Sequence, residues 1–362
     1  MGAVTNELED RALALSTEQF DYSLPADRIA QVPLEPRDSS KLLLMDGDGT
    51  LHDRVFTDLP TLLRAGDLLV ANDTTVRAAR LRGRRDDGGL AEVLLLQRLD
   101  AGRFTALVRP GRRLHAGASI QAAHGLRITV AGPAAGHRGA RVVSLEADAD
   151  LELAIAAAGE PPLPPYIREP LKDSGRYQTV YATGEPASSA APTAGLHFTA
   201  RVRDALRERG VGWATLQLDV GLGTFAPITA TDISSHRMHA EHCTLPSDTA
   251  VRIDETHSRG GRVIAIGTTV VRTLESHVDS GGRLCPGGLS TELFITPGHR
   301  FSVVDGLLTN FHQPRSSLLV LLAAFTGMRG WRSAYQHALT NNYRFLSFGD
   351  CMLCWRNSDA AA

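Results

Sequence analysis

The sequence predicts an α/β protein with a barrel-like or mixed-sheet main domain and an inserted small antiparallel β-barrel domain. The 362-residue chain is long enough for two domains with separate cores. Short alternating segments separated by glycine occupy about 78–149, whereas strand, small-residue turn and helix alternate after residue 190. We therefore assign 1–77 and 150–362 to the main domain, with 1–19 as a loosely ordered extension, and 78–149 to the insert.

The elements follow from hydrophobic patterning in chain order. In the first part of the main domain we expect strand 40–45, helix 58–63 and strand 68–70, the last running to Asn72 and Asp73, which serve a turn or the site. The insert has strands 91–97, 104–108, 119–122, 127–130 and 141–145. Further on we expect helix 151–158, strand 211–220, a helix from the cap Ser247 to Gly260, strand 263–266, a helix to His277, and a helix 314–325 opened by Pro314.

Composition excludes several classes of protein. With 43% hydrophobic and 22% charged residues, the chain is typical of a globular protein. Its N-terminus lacks the pattern of a signal peptide, and its most apolar run, 318–325, is far shorter than the ~20 residues of a membrane span. Cys351 and Cys354 form one C-x-x-C without a second pair, so we interpret them as buried thiols. We expect a cytoplasmic protein that is a monomer and makes no membrane contact.

Charge is unevenly distributed. The net charge is −2, yet the window 77–127 holds eleven arginines against four acids. Such a segment is suited to phosphate contacts, and the alternative is a solvated basic face without a partner. The candidate nucleic-acid contacts are Arg80, Arg82, Arg84, Arg85, Arg109, Arg112 and Arg113.

The segment 190–199 is the first candidate for a functional loop. Its Pro, Thr, Ala and Gly residues let backbone approach a ligand closely, and it presents His197 just before a helix. Thr199 is a fitting N-cap and Gly210 a fitting C-terminal stop for that helix. The alternative for His197 is a structural histidine.

Several motifs in a fixed order carry a resemblance. They are APTAGLHFT at 191–199 with YQTVYA at 177–182, GLGTF at 221–225, HRMHAE at 236–241, GTTVVRTLES at 267–276, TNFH at 309–312 and YRFLSFGD at 343–350. From about Phe20 to Trp355 the chain resembles the S-adenosylmethionine:tRNA ribosyltransferase-isomerase family of the queuosine pathway.

The resemblance implies a reaction. The ribosyl part of S-adenosylmethionine is transferred to the amine of 7-aminomethyl-7-deazaguanine at the wobble position of a tRNA with a GUN-type anticodon. It is rearranged to an epoxy-cyclopentane-diol, and adenine and methionine leave. The co-substrate supplies the electrophile as a sulfonium, so the protein needs a base, a neutral amine and a proton source for adenine, and no metal.

The candidate catalytic residues are His197, His239 and Glu241. If 237–243 is extended, His239 and Glu241 share one face, where the carboxylate would orient the imidazole. His236, His239 and Glu241 also invite a metal interpretation, which strand spacing and the metal-free family disfavour.

The candidate substrate contacts lie at predicted strand ends and in the loops around them. Thr268 and Thr269 open a helix and would hold the methionine carboxylate, while Arg272 would assist or pair with Glu275. The full set is Tyr166, Gln178, Thr193, Phe198, Phe225, Thr268, Thr269, Arg272, Asn310 and His312.

Departures from the family pattern leave the acceptor open. Asp219 replaces a usual histidine, Gln313 a usual leucine, and Glu160 stands where a Gly-His pair is usual. The alternatives are a paralogue that transfers the ribosyl group to a small-molecule amine, and an inactive tRNA-binding module.

Overall fold

The computed structural model describes residues 15–134, 139–184, 186–221 and 227–356. The chain divides into two compact units. The first comprises Met1–Thr74, Pro165–Gly184 and Ala191–Ala362, and the second Thr75–Pro164 and Glu185–Ala190. The segment 78–149 lies wholly in the second unit, and its status as an independently folding domain stays a prediction.

The strands, in chain order, are β1 Lys41–Met45, β2 Leu51–Val55, β3 Leu68–Asn72, β4 Thr75–Val76, β5 Arg80–Arg85, β6 Leu90–Arg98, β7 Arg103–Arg109, β8 Ser119–Ala122, β9 Arg127–Pro133, β10 Arg141–Glu146, β11 Gly159–Glu160, β12 Pro186–Ser188, β13 Gly212–Leu218, β14 Glu241–Leu245, β15 Val263–Ile266, β16 Gly287–Thr291, β17 Gly306–Asn310 and β18 Cys351–Trp355. The α-helices are α1 Leu59–Leu62, α2 Leu151–Ala158, α3 Ala200–Glu208, α4 Ser247–Ser258, α5 Thr268–Ser276 and α6 Ser317–Thr340.

The first unit is built on an open nine-stranded mixed sheet, with strand order β16-β14-β13-β3-β15-β17-β18-β1-β2. Strands β13, β3, β15 and β17 run parallel, and antiparallel strands complete both sides. Alternate residues of the central strands enter different cores: Val70 packs with α5 and α6, and Leu69 with α3. Burial on both faces explains why these strands are continuously apolar. The mixed-sheet form of the fold prediction is confirmed.

The second unit contains a closed antiparallel barrel. Strands follow the order β5-β6-β7-β10-β9-β8, and β8 pairs with β5 to close the circle. Inward residues such as Val93, Phe104 and Ile128 are fully buried. The predicted antiparallel β-barrel is thus confirmed.

Several local predictions need correction. Strand β5 was not predicted because only Leu81 of its six residues is buried. Helix α6 begins after the cap Ser316 rather than at Pro314, and continues beyond 325 with a break at Gly327. Pro246, not Ser247, precedes α4. The described part of the predicted loose extension is packed: Thr17 is fully buried, and its amide donates to the carbonyl oxygen of Thr231.

The two cysteines of the C-x-x-C motif are buried free thiols, as predicted. They lie three residues apart in β18, so Cys351 enters one core and Cys354 the other. This separation prevents them from holding one metal together. In the described part of the chain, no helix has the length and apolar character needed to cross a membrane.

Candidate active site

Four parallel strands end at one edge of the main sheet. Asn72 of β3 is level with Leu216 of β13. Ile266 of β15 is level with both Ala71 and Leu308. The residues that end or follow these strands are polar or small, namely Asp73, Asp219, Gly267, Thr268 and Asn310. This is the edge at which α/β sheets bind ligands.

The loop before α3 presents His197 at this edge, as the sequence indicates. Thr193–His197 forms a short 3-10 turn, and the Thr199 side chain accepts a hydrogen bond from the Val202 amide to cap α3. Gly195 is required in the turn, because a Cβ there would lie 1.9 Å from the Tyr181 hydroxyl. The small residues therefore serve close packing of the loop.

His197 is buried and hydrogen-bonded through both ring nitrogens. Its Nδ1 lies 2.8 Å from Ser40 Oγ, and its Nε2 lies 3.1 Å from Asn310 Nδ2. The ring stacks on Phe56 with centroids 5.3 Å apart. The imidazole is thus fixed in position and orientation.

The neighbours of Asn310 define the tautomer of His197. Asn310 Nδ2 also donates to the Leu346 carbonyl at 3.3 Å, and Asn310 Oδ1 accepts from the Thr193 hydroxyl at 3.0 Å. Because the amide nitrogen faces a carbonyl, Nε2 of His197 is an acceptor. Its proton is then on Nδ1, which donates to Ser40.

His197 is neutral at physiological pH. Burial, together with the Arg37 and Arg344 guanidiniums, lowers its pKa to about 3. An imidazole with so low a pKa is a weak proton acceptor. Its geometry is that of a group that holds Asn310 in place.

A narrow cleft with about 30 Å³ of space opens beside Asn310. Its polar lining comes from Tyr166, Thr193, Asn310, His312, Gln313 and Ser347. The Tyr166 hydroxyl lies 2.8 Å from Ser347 Oγ. His312 Nε2 lies 2.9 Å from Thr309 Oγ1, and burial lowers the pKa of His312 to about 3. The polar side chains at the cleft are therefore neutral hydrogen-bonding groups.

Comparison with known proteins identifies the family to which the chain belongs. The family model described as "Queuosine biosynthesis protein" matches residues 17–354. The chain belongs to this family.

The chain aligns with nearly the full length of its named relatives. The S-adenosylmethionine:tRNA ribosyltransferase-isomerase of Symbiobacterium thermophilum is 48% identical over 92% of this chain and 98% of its own. That of Moorella thermoacetica is 48% identical over 93% and 98%. The crystal structure of S-adenosylmethionine tRNA ribosyltransferase from Thermotoga maritima is 34% identical, with a TM-score of 0.53 over 93% of this chain and 99% of that one.

In this member of the queuosine biosynthesis family, Glu241 pairs with Arg272. Arg272 Nη1 donates to the Glu241 carboxylate, and the Gly221 amide donates to its other oxygen at 2.9 Å. Arg272 Nε reaches the Leu293 carbonyl at 3.1 Å. The predicted alternative pairing of Arg272 with Glu275 is wrong.

The predicted extended segment 237–243 is only partly a strand. β14 begins at Glu241, so strand alternation does not place His239 beside it on one face. Glu241 is buried, whereas His239 is exposed. The strand therefore begins four residues later and ends two residues later than predicted. Among the described residues, no group of three or more His, Cys, Asp or Glu side chains is arranged to hold a metal ion.

Thr268 and Thr269 lie where predicted, at the start of α5. Gly267 precedes them with φ of 92°, a backbone conformation that favours glycine, and a Cβ at this position would contact Ala194. Thr269 Oγ1 is buried and makes no hydrogen bond within the described chain. The start of α5 thus adjoins the loop that carries His197.

The three remaining predicted substrate contacts differ in outcome. Phe198 is fully buried and packs edge-on against Phe56 and Trp213, so it belongs to the core. Gln178 accepts a hydrogen bond from Arg37 through its backbone carbonyl. Phe225 lies outside the described residues.

Asp73 is the most unusual side chain at the sheet edge. Its Oδ2 accepts from the Thr183 hydroxyl at 3.1 Å, while its buried Oδ1 has no hydrogen-bond partner within the described chain. The Thr74 hydroxyl links the same turn to Asp219 at 3.3 Å. A buried carboxylate oxygen without a donor is costly unless a ligand uses it. From the sequence, Asp73 was expected to serve either a turn or the functional site.

In the barrel unit, the predicted arginines differ in exposure. Arg84, Arg109, Arg112 and Arg113 are exposed, and Arg84 and Arg109 line an open groove. Arg82 lies 3.3 Å from the carboxylate of Glu160.

Two of the predicted arginines are turned inward. The side chain of Arg85 is only 11% exposed and pairs with Asp87 at 2.9 Å. Arg80 Nε is buried, and its Nη2 contacts the Leu163 carbonyl. These two arginines are therefore less suited to bind phosphate than predicted.

Sequence patterning missed Ser40, Phe56, Arg37 and Arg344, which surround His197. Three of them come from segments in which the sequence shows no functional motif. The fourth, Arg344, lies in the motif at 343–350. Their proximity to His197 depends on tertiary contacts, such as that of Asp38 with Thr199.

Proposed function

We propose that this chain transfers the ribosyl moiety of S-adenosylmethionine to 7-aminomethyl-7-deazaguanine at the wobble position of tRNA and isomerises it. The observation that carries the proposal is the chain's match to S-adenosylmethionine:tRNA ribosyltransferase-isomerases over 98% of their length. The described part of the site adds a narrow cleft with neutral polar groups beside a fixed His197–Asn310 pair.

The substrates define what the protein has to supply. The sulfonium makes the adjacent carbon-bound hydrogens acidic and is itself the electrophile, so we propose that no metal is required. A base removes a proton from that carbon, the acceptor amine attacks in its neutral form, adenine leaves with a proton, and cleavage of the carbon–sulfur bond releases methionine.

His197 acts in this proposal as a positioning residue. Both of its nitrogens are occupied, and its low pKa leaves it neutral. Nε2 of His197 accepts a hydrogen bond from the Asn310 amide and thereby orients the Asn310 side chain at the cleft. The Thr193 hydroxyl donates to the amide oxygen of Asn310. Asn310 is then the group that contacts the substrate, together with Tyr166 and His312.

Asp73 is the proposed base. One carboxylate oxygen is held by Thr183, and the other is buried, unpaired and at the edge where the four strands end. A carboxylate in this position takes a proton from a cationic or activated substrate group and becomes a neutral acid. The nearby Asp219 adds negative charge that favours a cationic substrate.

Other side chains frame the site. Thr268 and Thr269 offer hydroxyls at the start of α5, next to the His197 loop. The Glu241–Arg272 pair connects β14 to α5 and thereby fixes the start of this helix, which is a supporting role. All of these residues come from one unit of one chain, so the proposed site needs no second subunit, and we propose that the protein acts as a monomer.

The barrel supplies the nucleic-acid contact in this proposal. Exposed Arg84, Arg109, Arg112 and Arg113 give one surface excess positive charge, and phosphates are bound mainly by such charge. Since the substrate is tRNA, we place the protein in the cytoplasm.

Incubation with S-adenosylmethionine and tRNA bearing the deazaguanine amine, followed by nucleoside mass spectrometry, tests the function. The expected products are epoxyqueuosine in tRNA and free adenine in equal amounts. Adenine release only with a small-molecule amine would replace the proposal with the paralogue. No release with any amine, in a folded protein that binds tRNA, would favour an inactive module.

A further inference from the structure

A second pocket lies on the opposite side of His197 from Asn310. It has about 20 Å³ of space and is lined by Ser40 and His197 together with Arg37, Ser347 and Gly349. Its apolar lining consists of Pro33, Leu34, Leu196 and Phe348. Ser347 also lines the first cleft, so the two spaces adjoin.

The lining of the pocket contains the guanidinium of Arg37 and no carboxylate, and Asp173 acts on Arg37 from outside the lining. Arg37 is half-buried, and only its Nη1 makes a hydrogen bond within the described chain, to the Gln178 carbonyl at 3.0 Å. Burial lowers the pKa of Arg37, which shows that the protein leaves this guanidinium partly desolvated. A desolvated guanidinium with free N–H groups is an anion-binding group.

Arg344 adds a second positive charge near the pocket. Its Nη2 donates to the Val32 carbonyl, whereas its buried Nη1 has no hydrogen-bond partner within the described chain. Both guanidiniums lie close enough to His197 to lower its pKa. His197 is neutral mainly because it is buried, with a further contribution from the two guanidiniums, and it does not compete for an anion.

We propose that this pocket binds an oxyanion, and that the oxyanion is the carboxylate at the amino-acid end of S-adenosylmethionine. The proposal rests on the proposed function. Two observations favour this carboxylate over a tRNA phosphate. The pocket shares Ser347 with the cleft beside Asn310, and its space of about 20 Å³ suits a planar carboxylate better than a phosphodiester. The carboxylate would then bind Arg37, with Ser40 and Ser347 as further hydroxyl donors, rather than the start of α5.

Binding measurements with two ligands test the pocket. The ligands are S-adenosylmethionine and its decarboxylated analogue, titrated calorimetrically into the wild-type protein and Arg37→Gln. We expect Arg37→Gln to weaken S-adenosylmethionine binding about 10- to 100-fold, because a charged hydrogen-bonded pair is lost. The analogue should bind the wild type correspondingly weakly, and Arg37→Gln should not weaken it further.

A matched control is Arg176→Gln. Arg176 also donates to a backbone carbonyl, that of the pocket residue Leu34 at 2.6 Å, but Arg176 itself does not line the pocket. It should leave the preference for the carboxylate intact. If Arg37→Gln does not fold, Arg344→Gln and Arg37→Lys are measured instead, and each should reduce the same preference.

Three outcomes would overturn the proposal. The first is equal affinity of the wild type for both ligands. The second is the same ratio of affinities in Arg37→Gln as in the wild type, which would place the carboxylate elsewhere, for example at α5. The third is a loss of tRNA affinity with a salt slope lower by about one unit and unchanged S-adenosylmethionine binding, which would identify a phosphate as the anion. Wild-type turnover with tRNA is measured separately, so failure of the pocket is distinguishable from failure of the proposed function.

Discussion

The sheet-edge site and the basic barrel surface use charge in opposite ways. At the sheet edge, His197 is neutral and buried, Asp73 is buried with one unpaired oxygen, and neutral groups line the cleft. On the barrel, Arg84 and Arg109 are exposed along an open groove. Buried groups act through fixed geometry in low dielectric, whereas exposed arginines act through summed charge that salt screens. The two regions should therefore respond to different experiments.

Removing the charge of Asp73 should have the largest effect. Asp73→Asn keeps the shape and the contact with Thr183 but removes the proposed base, so we expect turnover to fall about 10²- to 10⁴-fold. Affinity for tRNA should be unchanged, which separates the site from the barrel. The measurement is single-turnover adenine release, with Asp48→Asn on the exposed surface as control. Near-normal turnover in folded Asp73→Asn would remove it as the base.

The His197–Asn310 pair should behave as one unit. His197→Ala is expected to lower turnover about 10²-fold or more, and Asn310→Ala by a similar factor, because each loss releases the same cleft-facing amide. The double variant should be little worse than either single variant. His52→Ala, which removes a surface histidine paired with Asp46, is the control. Fully multiplicative losses would show that the two residues act independently.

The barrel half of the comparison is tested with salt. Replacing Arg84, Arg109 and Arg112 by Ala should flatten the logarithmic dependence of tRNA affinity on salt by roughly two to three units if all three contact phosphate. S-adenosylmethionine affinity should not change.

Arg85→Ala is the matched control in the same unit. Its side chain is mostly buried against Asp87, so its slope should equal that of the wild type. Equal slopes for the triple variant and the wild type would mean that tRNA is bound elsewhere.

Metal removal should have the smallest effect. Exhaustive chelation is expected to leave turnover unchanged, because the sulfonium substrate supplies the electrophile. Turnover before and after dialysis against a chelator measures this. Activity lost on chelation and restored by one divalent ion would require a metal in the mechanism.

Much of the fold was predictable because local pattern and tertiary fold agree. Strand Val263–Ile266 is continuously apolar and is buried on both faces, and the Thr199 cap defines the start of α3. β5 could not be predicted from the sequence, because a barrel strand rich in arginine shows almost no alternation of apolar and polar residues. The family and the position of His197 followed from ordered motifs.

The role of His197 was harder to predict from the sequence. A histidine in a small-residue loop predicts proton transfer as readily as positioning. The difference depends on Ser40, Phe56 and Arg37, which are more than 130 residues away in sequence and reach His197 only in the folded chain. Glu241 similarly pairs with Arg272, a partner that strand periodicity does not reveal.

The pKa of His197 also makes a prediction about acid stability. Its folded-state pKa of about 3 lies below the usual value, so the unfolded chain takes up the proton first as pH falls. The stabilising effect of the neutral form is complete above pH ~6.5 and declines toward pH 3. His312 shares this behaviour, because burial also lowers its pKa to about 3.

Nitrogen-15 NMR titration of the His197 ring tests the central claim most directly. The assignment comes from comparison with His197→Gln. The account predicts a neutral ring with its proton on Nδ1 and no protonation between pH 8 and the onset of acid unfolding. A protonation midpoint between pH 6 and 7, or a proton on Nε2, would contradict it and restore His197 as a candidate acid or base.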